Sequence, residues 1–226
     1  MTSSQAETSR QTHISRSTGF YGRHIGPRLV HAGCSMGVFS RMRERIVPQA
    51  QGVVVEVGIG SGLNLPYYKA AKVERLIGID PDEAMLRRAE RDASAAKLGL
   101  TTIAASAESM PLQAATADSV VVAYALCTIP EPLAALAEMR RVLKPGGRLL
   151  FVEHGRIEHS WRGWLQDRLN GVWGHLAGGC NLNRDPFALI KTAGFTIEHP
   201  RLERFPAHMI QLGTHYAGVG LCASSV

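Results

Sequence analysis

The sequence predicts an α/β fold, a doubly wound and mostly parallel sheet of seven strands, and three observations carry that prediction. The run "GVVVEVG" at 52–58 is short and Val-rich, as expected of a strand buried on both faces. From there to His154, short apolar runs alternate with helical stretches of about 10 to 18 residues, the pattern of crossover units. Two further β runs, "FTIEHPRLERF" and "MIQLGTHYAGVGLCA", close the chain.

Each element can be justified in order. "VERLIGID" (73–80) is a second strand. The next segment, "PDEAMLRRAERDASAAKLG", opens with Pro81 and two acids, carries its basic residues further on and stops at Gly99, the polarity a helix prefers. "LTTIAAS" and "ADSVVVAYAL" are the third and fourth strands. "EPLAALAEMRRVLKPGG" is an amphipathic helix closed by Lys-Pro-Gly-Gly, and "RLLFVEH" is the fifth strand. A helical prefix, "GPRLVHAGCSMGVFSRMRERIV", precedes the sheet, and a Trp-rich helical insert with Trp161, Trp164 and Trp173 follows the fifth strand. Residues 1–19 are polar and Ser/Thr-rich, which predicts a disordered tail. Residues 20–226 then form a single domain, with a core at 50–155 and flanking elements at 20–48 and 156–195.

Composition narrows the function classes. A chain of 226 residues with 45% hydrophobic and 19% charged residues suits one well-buried domain. The net charge is +6, but no run of five or more basic residues occurs, so the excess is read as solvated surface and nucleic acid is not expected. No stretch nears the ~18 consecutive apolar residues of a membrane span, so contact with a membrane surface stays open but integration does not. The sequence does not address oligomeric state. Cys34, Cys127, Cys180 and Cys222 lie far apart with no C-x-x-C pair. That spacing argues against a zinc site and a disulfide framework, and predicts a metal-free cytoplasmic protein.

In a parallel sheet, ligands sit beyond the carboxyl ends of the strands, where the first strand turns into its helix. Gly58, Gly60 and Gly62 fall there, offering a bare main chain. Asp80 ends the second strand about 20 residues on, where an acid receives ribose hydroxyls. A dinucleotide turn reads G-x-G-x-x-G, but here the third glycine comes early and position 63 is Leu. Glu56 beside the turn would repel a pyrophosphate and attract an ammonium. The chemistry therefore points to S-adenosylmethionine, an adenosine whose 5′ side ends in an amino acid.

E-x-G-x-G-x-G, the acid of strand two, "SAESMPL" and "VLKPGGRLLFVE" together resemble the class I S-adenosylmethionine-dependent methyltransferases over about residues 50–155. That resemblance implies a Rossmann-like sheet and a set of cofactor contacts. Glu56 would steady the turn and the methionine amino group, and Gly58, Gly60 and Gly62 would pass under the methionine. Asp80 would take the ribose hydroxyls, Pro81 would lie beside the adenine, and Ala107 and Glu108 would reach its edge. Leu126, beyond strand four, joins the same set. Ser106 departs from the acid or Asn that many relatives place there.

The acceptor side is read from "YALCTIPEP" and "VEHGRIEHSW". "FVEHG", the Trp-rich helix and "GGCNLNRDPFALIKTAGF" are similar to the thiol methyltransferases of the methyltransferase-like seven group, which implies a small hydrophobic thiol as acceptor. "Y-x-L" after strand four and Glu-His after strand five are also similar to bacterial phospholipid N-methyltransferases, which implies N-, O- or C-methylation of a lipid or quinone-like acceptor. His154, at the ligand edge of the sheet, is the candidate proton acceptor or substrate orienter. Glu153 would orient that imidazole or pair with an Arg, and Tyr124 would line the pocket or pack in the core. Cys127 and Cys180 read as small core residues. The tryptophans read as a helix packed on the sheet or as an aromatic lid, with Phe20, Tyr21 and His24 as its other half.

Overall fold

The structure, a computed structural model, describes residues 37–95, 98–157, 161–176, 179–204 and 214–222. The predicted tail, Cys34 and the lid residues Phe20, Tyr21 and His24 lie outside the described residues. In chain order the elements are α1 (Gly37–Ile46), β1 (Gly52–Val57), β2 (Val73–Asp80), α2 (Glu83–Ala95), β3 (Leu100–Ala104) and β4 (Ala117–Ala123). Then follow α3 (Pro132–Val142), β5 (Leu143–Gly155), α4 (Trp161–Leu176), α5 (Pro186–Thr192), β6 (Phe195–Arg204) and β7 (Thr214–Cys222).

The seven strands form one sheet in the order β3-β2-β1-β4-β5-β7-β6. Strands β1 to β5 pair in parallel, while β7 runs against both β5 and β6. The order reverses between β1 and β4, which opens a crevice at their carboxyl ends.

Burial on both faces explains the unbroken valines of β1. Val54 packs with Phe39, Met42 and Ile46 of α1 and Leu86 and Ala89 of α2. Val55 and Val57 pack on the other face with Leu136 and Met139 of α3 and Ile190 of α5. Each such fully buried side chain contributes about 1.5–3 kcal/mol.

Several element boundaries differ from the sequence reading, and two of them have a clear local cause. α2 begins at Glu83 because the Asp82 carboxylate accepts from the N–H groups of Ala84 (2.8 Å) and Met85 (3.2 Å), so Pro81 stays outside the helix. α3 ends at Val142, and Lys-Pro-Gly-Gly belongs to β5, whose Leu143 already pairs with Ala117 of β4.

α4 is inverted. Its inward residues are polar or small: Gly163, Gln166 and Asn170. Gln166 accepts from Ile157 N (2.8 Å) and donates to Leu182 O (3.1 Å), while Asn170 accepts from Leu182 N (2.8 Å). Trp161 (70% exposed), Trp164 (60%) and Val172 (64%) face outward. Trp161 and Trp164 therefore do not anchor the helix on the sheet; side-chain amides hold it, each satisfied by a partner. Arg162 and Arg168 lie over the rings of Trp161 and Trp164, 5.6 and 5.3 Å from the ring centroids. No described helix is long and apolar enough to cross a membrane.

Candidate cofactor and acceptor site

The glycine turn leaves β1 at the switch in strand order. Gly58, Gly60 and Gly62 all have positive φ (70°, 54° and 84°), which L side chains rarely adopt. A Cβ on Gly58 would also lie 2.5 Å from the Ala125 side chain, so the turn is pressed against the loop after β4. At Gly60 a Cβ would meet nothing nearer than 4.0 Å, which leaves an open main-chain surface.

Asp80 ends β2 with its carboxylate held by main chain. Gly60 N donates to Oδ2 (3.0 Å) and Asp82 N donates to Oδ1 (2.9 Å), so the acid is aimed before any ligand arrives. Glu56 lies beneath the turn, fully buried. Its oxygens accept from Asn64 Nδ2 (2.8 Å) and the Tyr68 hydroxyl (2.7 Å). Arg43 of α1 donates to Asn64 Oδ1 (2.8 Å) and extends the chain of contacts. Burial raises the Glu56 carboxyl to about 7, against the bonds from Tyr68 and Asn64 and the charge of Arg43. These features fit S-adenosylmethionine. A bare turn, an aimed acid at ribose distance in sequence, and a buried acid for an ammonium are what its three parts require.

The adenine-side residues sit beyond β3. Ala107 is buried and Pro81 is exposed. Ser106 donates its hydroxyl to Glu108, and Glu131 N donates to the other Glu108 oxygen (3.3 Å), which ties this turn to the start of α3. The Leu126 side chain packs in the core beside Val57 and Leu136, and its N–H binds Glu153.

Across the crevice, Tyr124 follows β4 with φ 57°, a strained value for a bulky residue. Its hydroxyl bonds His215 Nδ1 (2.9 Å), and its ring is sandwiched by Phe39 and the Arg43 guanidinium. Burial, then the charges of His154 and Arg43, lower His215 to about 4, so it is neutral near pH 7. Glu153 accepts from the N–H groups of Ala125 (2.8 Å) and Leu126 (3.0 Å) and shapes the loop after β4. It does not hold the His154 ring, because consecutive strand residues face opposite sides of the sheet, and it forms no ion pair with an Arg among the described residues. Burial raises its carboxyl to about 7, the two backbone bonds opposing.

His154 meets cysteine instead. Its Nε2 lies 3.1 Å from Cys180 Sγ, and its Nδ1 is buried with no partner among the described residues. Cys127 joins them, and the three ligand-capable atoms all lie within 4.8 Å of one another. Donation from Cys127 lowers the Cys180 thiol strongly. Burial opposes this, while the His154 charge and bonds from His154 and the Trp173 indole assist. His154 is in turn raised: burial works against its charge, but the negative charge and hydrogen bond of Cys180 outweigh it. Cysteines that lie apart in sequence thus meet in space, because the loop after β4, the end of β5 and the turn before α5 converge at one edge of the crevice. All three cysteines of the described residues are free thiols.

Sequence reasoning missed Arg43, Asn64, Tyr68, His215, Asn181 and Arg184. Arg43 left a trace: Phe39, Met42 and Ile46 mark the buried stripe of α1, and Arg43 falls within it at helical spacing. Asn181 donates its N–H and its amide to Cys127 O (2.8 and 3.0 Å). Arg184 donates to the carbonyls of Leu126 and Ile129. Both act across the fold and have no local signature.

Comparison with known proteins bears on the family and the fold. The family model described as a methyltransferase domain matches residues 55–151. The chain is 26% identical over 185 residues to the human thiol S-methyltransferase TMT1B, covering 80% of this chain and 75% of that protein. It is 34% identical over 107 residues to the phosphatidylethanolamine N-methyltransferase of Cereibacter sphaeroides, covering 46% and 51%. The crystal structure of the YcgJ protein from Bacillus subtilis superposes with a TM-score of 0.65 at 17% identity, covering 82% of this chain and 98% of that one, which bears out the fold.

Proposed function

Because the chain belongs to the S-adenosylmethionine-dependent methyltransferases, we propose that its acceptor is a small hydrophobic thiol. The donor supplies a methyl group on a cationic sulfur, already activated for displacement. Asp80 receives the ribose hydroxyls, Glu56 faces the ammonium, and the open main chain at Gly60 carries the methionine. Ala107 and Glu108 border the adenine. Tyr124 and Leu126 form the wall shared by donor and acceptor.

One observation carries the thiol reading: Cys180 lies 3.1 Å from His154, ringed by donors that favour its anion. A thiol entering that environment is drawn toward thiolate by the same groups and gives up its proton to solvent. Likeness to the thiol S-methyltransferase supports the reading. The cytoplasm, where small thiols stay reduced, is the compartment that suits this chemistry.

A lipid or quinone-like acceptor, methylated on N, O or C, is the second reading. It is supported by the outward tryptophans of α4, a face suited to a membrane surface, and by likeness to the phospholipid enzyme. The test is to incubate the full chain with isotope-labelled donor and small thiols, amines, phenols, quinols and phosphatidylethanolamine vesicles. Labelled thioether, formed in step with S-adenosylhomocysteine, is the expected product. Label found only on nitrogen, oxygen or carbon overturns the thiol reading.

A further inference from the structure

We propose that Cys127, His154 and Cys180 are a binding site for zinc(II): three protein ligands, with a fourth position open to the sulfur of the acceptor. Only the occupant of the fourth position rests on the thiol reading above; the three-ligand set stands on its own geometry.

Two thiol sulfurs and an imidazole nitrogen within 4.8 Å of one another, all buried, are a zinc donor set of the Cys2His kind. With Zn–S near 2.3 Å and Zn–N near 2.0 Å, ligand atoms around a tetrahedral ion lie roughly 3.5–3.8 Å apart. Cys180 Sγ and His154 Nε2 stand at 3.1 Å and open by a few tenths of an ångström to admit the ion, while Cys127 Sγ, within 4.8 Å of both, moves in by no more than about 1 Å. Sets of three protein ligands belong to zinc sites that keep a position for substrate, whereas structural sites close with four.

The surroundings hold these ligands in place without any ion. Asn181 binds Cys127 O through both its N–H and its side-chain amide, locking the two cysteine loops together. Arg184 clasps the loop after β4 through Ile129 O (2.6 Å) and Leu126 O. Asn170 of α4 binds Leu182 N and Asn181 Oδ1, and the Trp173 indole donates to Cys180. Such outer partners are what orient metal ligands. They also explain why α4 turns its amides inward.

Charge and protons balance. Two thiolates cancel a divalent ion, and the flanking Arg184 and Glu153 offset each other. On binding, Cys127 and Cys180 release their S–H protons to water and His154 coordinates through the Nε2 lone pair. An acceptor thiol replaces a water at the fourth position and loses its own proton to solvent. Its sulfur keeps a lone pair for the methyl group, and no oxidant or reductant is consumed.

The test uses the full chain, stripped with chelator under reducing conditions and titrated with Zn2+ or with Co2+ as a spectroscopic stand-in. Expected are one ion per chain and the sulfur-to-cobalt charge-transfer absorption of a tetrahedral thiolate site. Cys127→Ser and Cys180→Ser should each weaken binding by about a hundredfold or more, Asn181→Ala by about tenfold, and Cys222→Ser not at all. Alkylation followed by mass mapping keeps the test decisive if a variant misfolds: in the parent chain, Zn2+ should shield Cys127 and Cys180 but not Cys222. Substoichiometric binding, or equal alkylation of Cys127, Cys180 and Cys222 with and without Zn2+, overturns the site. Adding a small thiol to the Co2+ form should shift its visible bands; an unchanged spectrum overturns the open fourth position and leaves the three ligands standing. Methylation of thiols by the metal-stripped chain is scored separately, so loss of the thiol reading and loss of the metal site give different results.

Discussion

At the end of β1 the parts proposed to hold the donor are main chain and two carboxylates, drawn from residues 56–62 and Asp80. At the end of β5 they are side chains from four separate segments: Tyr124 and Cys127, Glu153 and His154, Cys180 and Arg184, and His215. One half of the crevice is shaped before a ligand arrives, through glycine φ angles and N–H groups fixed on Asp80. The other half depends on thiols, imidazoles and a guanidinium whose protonation and partners can change. The loop 124–127 is the wall between them, pressed on Gly58 from one side and carrying Cys127 on the other. Binding is thereby built into the backbone, and chemical choice is left to side chains that substitution can alter without disturbing the donor.

The largest expected effect breaks the first half alone. Asp80→Ala removes the acceptor for two ribose hydroxyls, and the donor's affinity should fall by about a hundredfold or more by calorimetry. Unchanged affinity would refute the ribose assignment. His154→Ala should break only the second half, lowering kcat about a hundredfold while donor affinity stays at the parent value. A parent-like rate would make His154 structural.

Next comes pH. The folded chain keeps a proton on Glu56 up to about 7, whereas the unfolded chain releases it from about 4.5. The native state therefore binds more protons across that window, and donor-free stability should fall by roughly 1.4 kcal/mol per pH unit as pH rises through it. Glu153 is raised to the same range and adds a like fall, so denaturant melts should show a slope shallower by about 1.4 kcal/mol per pH unit in Glu56→Gln than in the parent. Saturating donor, whose ammonium favours the ionised carboxylate, should flatten it. Smallest is Trp164→Ser on the outward face of α4. It should change stability by less than about 0.5 kcal/mol, and any loss of turnover should fall on vesicle-borne acceptors rather than soluble thiols.

Legibility in the sequence followed contiguity. The valines of β1, the three glycines and Asp80 are close in the chain, and each has one dominant physical cause, so the sheet and the place of the glycine turn and Asp80 at its edge could be read directly. The helix starting at Glu83 was misplaced by two residues because Asp82, and not Pro81, supplies the cap. The cysteines were read as scattered core residues, because spacing rules detect ligands on one hairpin and not on loops gathered by a sheet edge. α4 misled for a related reason. Tryptophans signal burial by composition, yet Gln166 and Asn170 claim the inward face through bonds that only the folded chain supplies.

The most direct test of the shared crevice is a crystal structure of the full chain with S-adenosylhomocysteine. The account predicts its ribose on Asp80, its amino acid end along Gly58–Gly62 above Glu56, and its sulfur turned across the loop 124–127 toward Cys127, His154 and Cys180. A nucleoside bound elsewhere, or a sulfur turned away from those three residues, would contradict it.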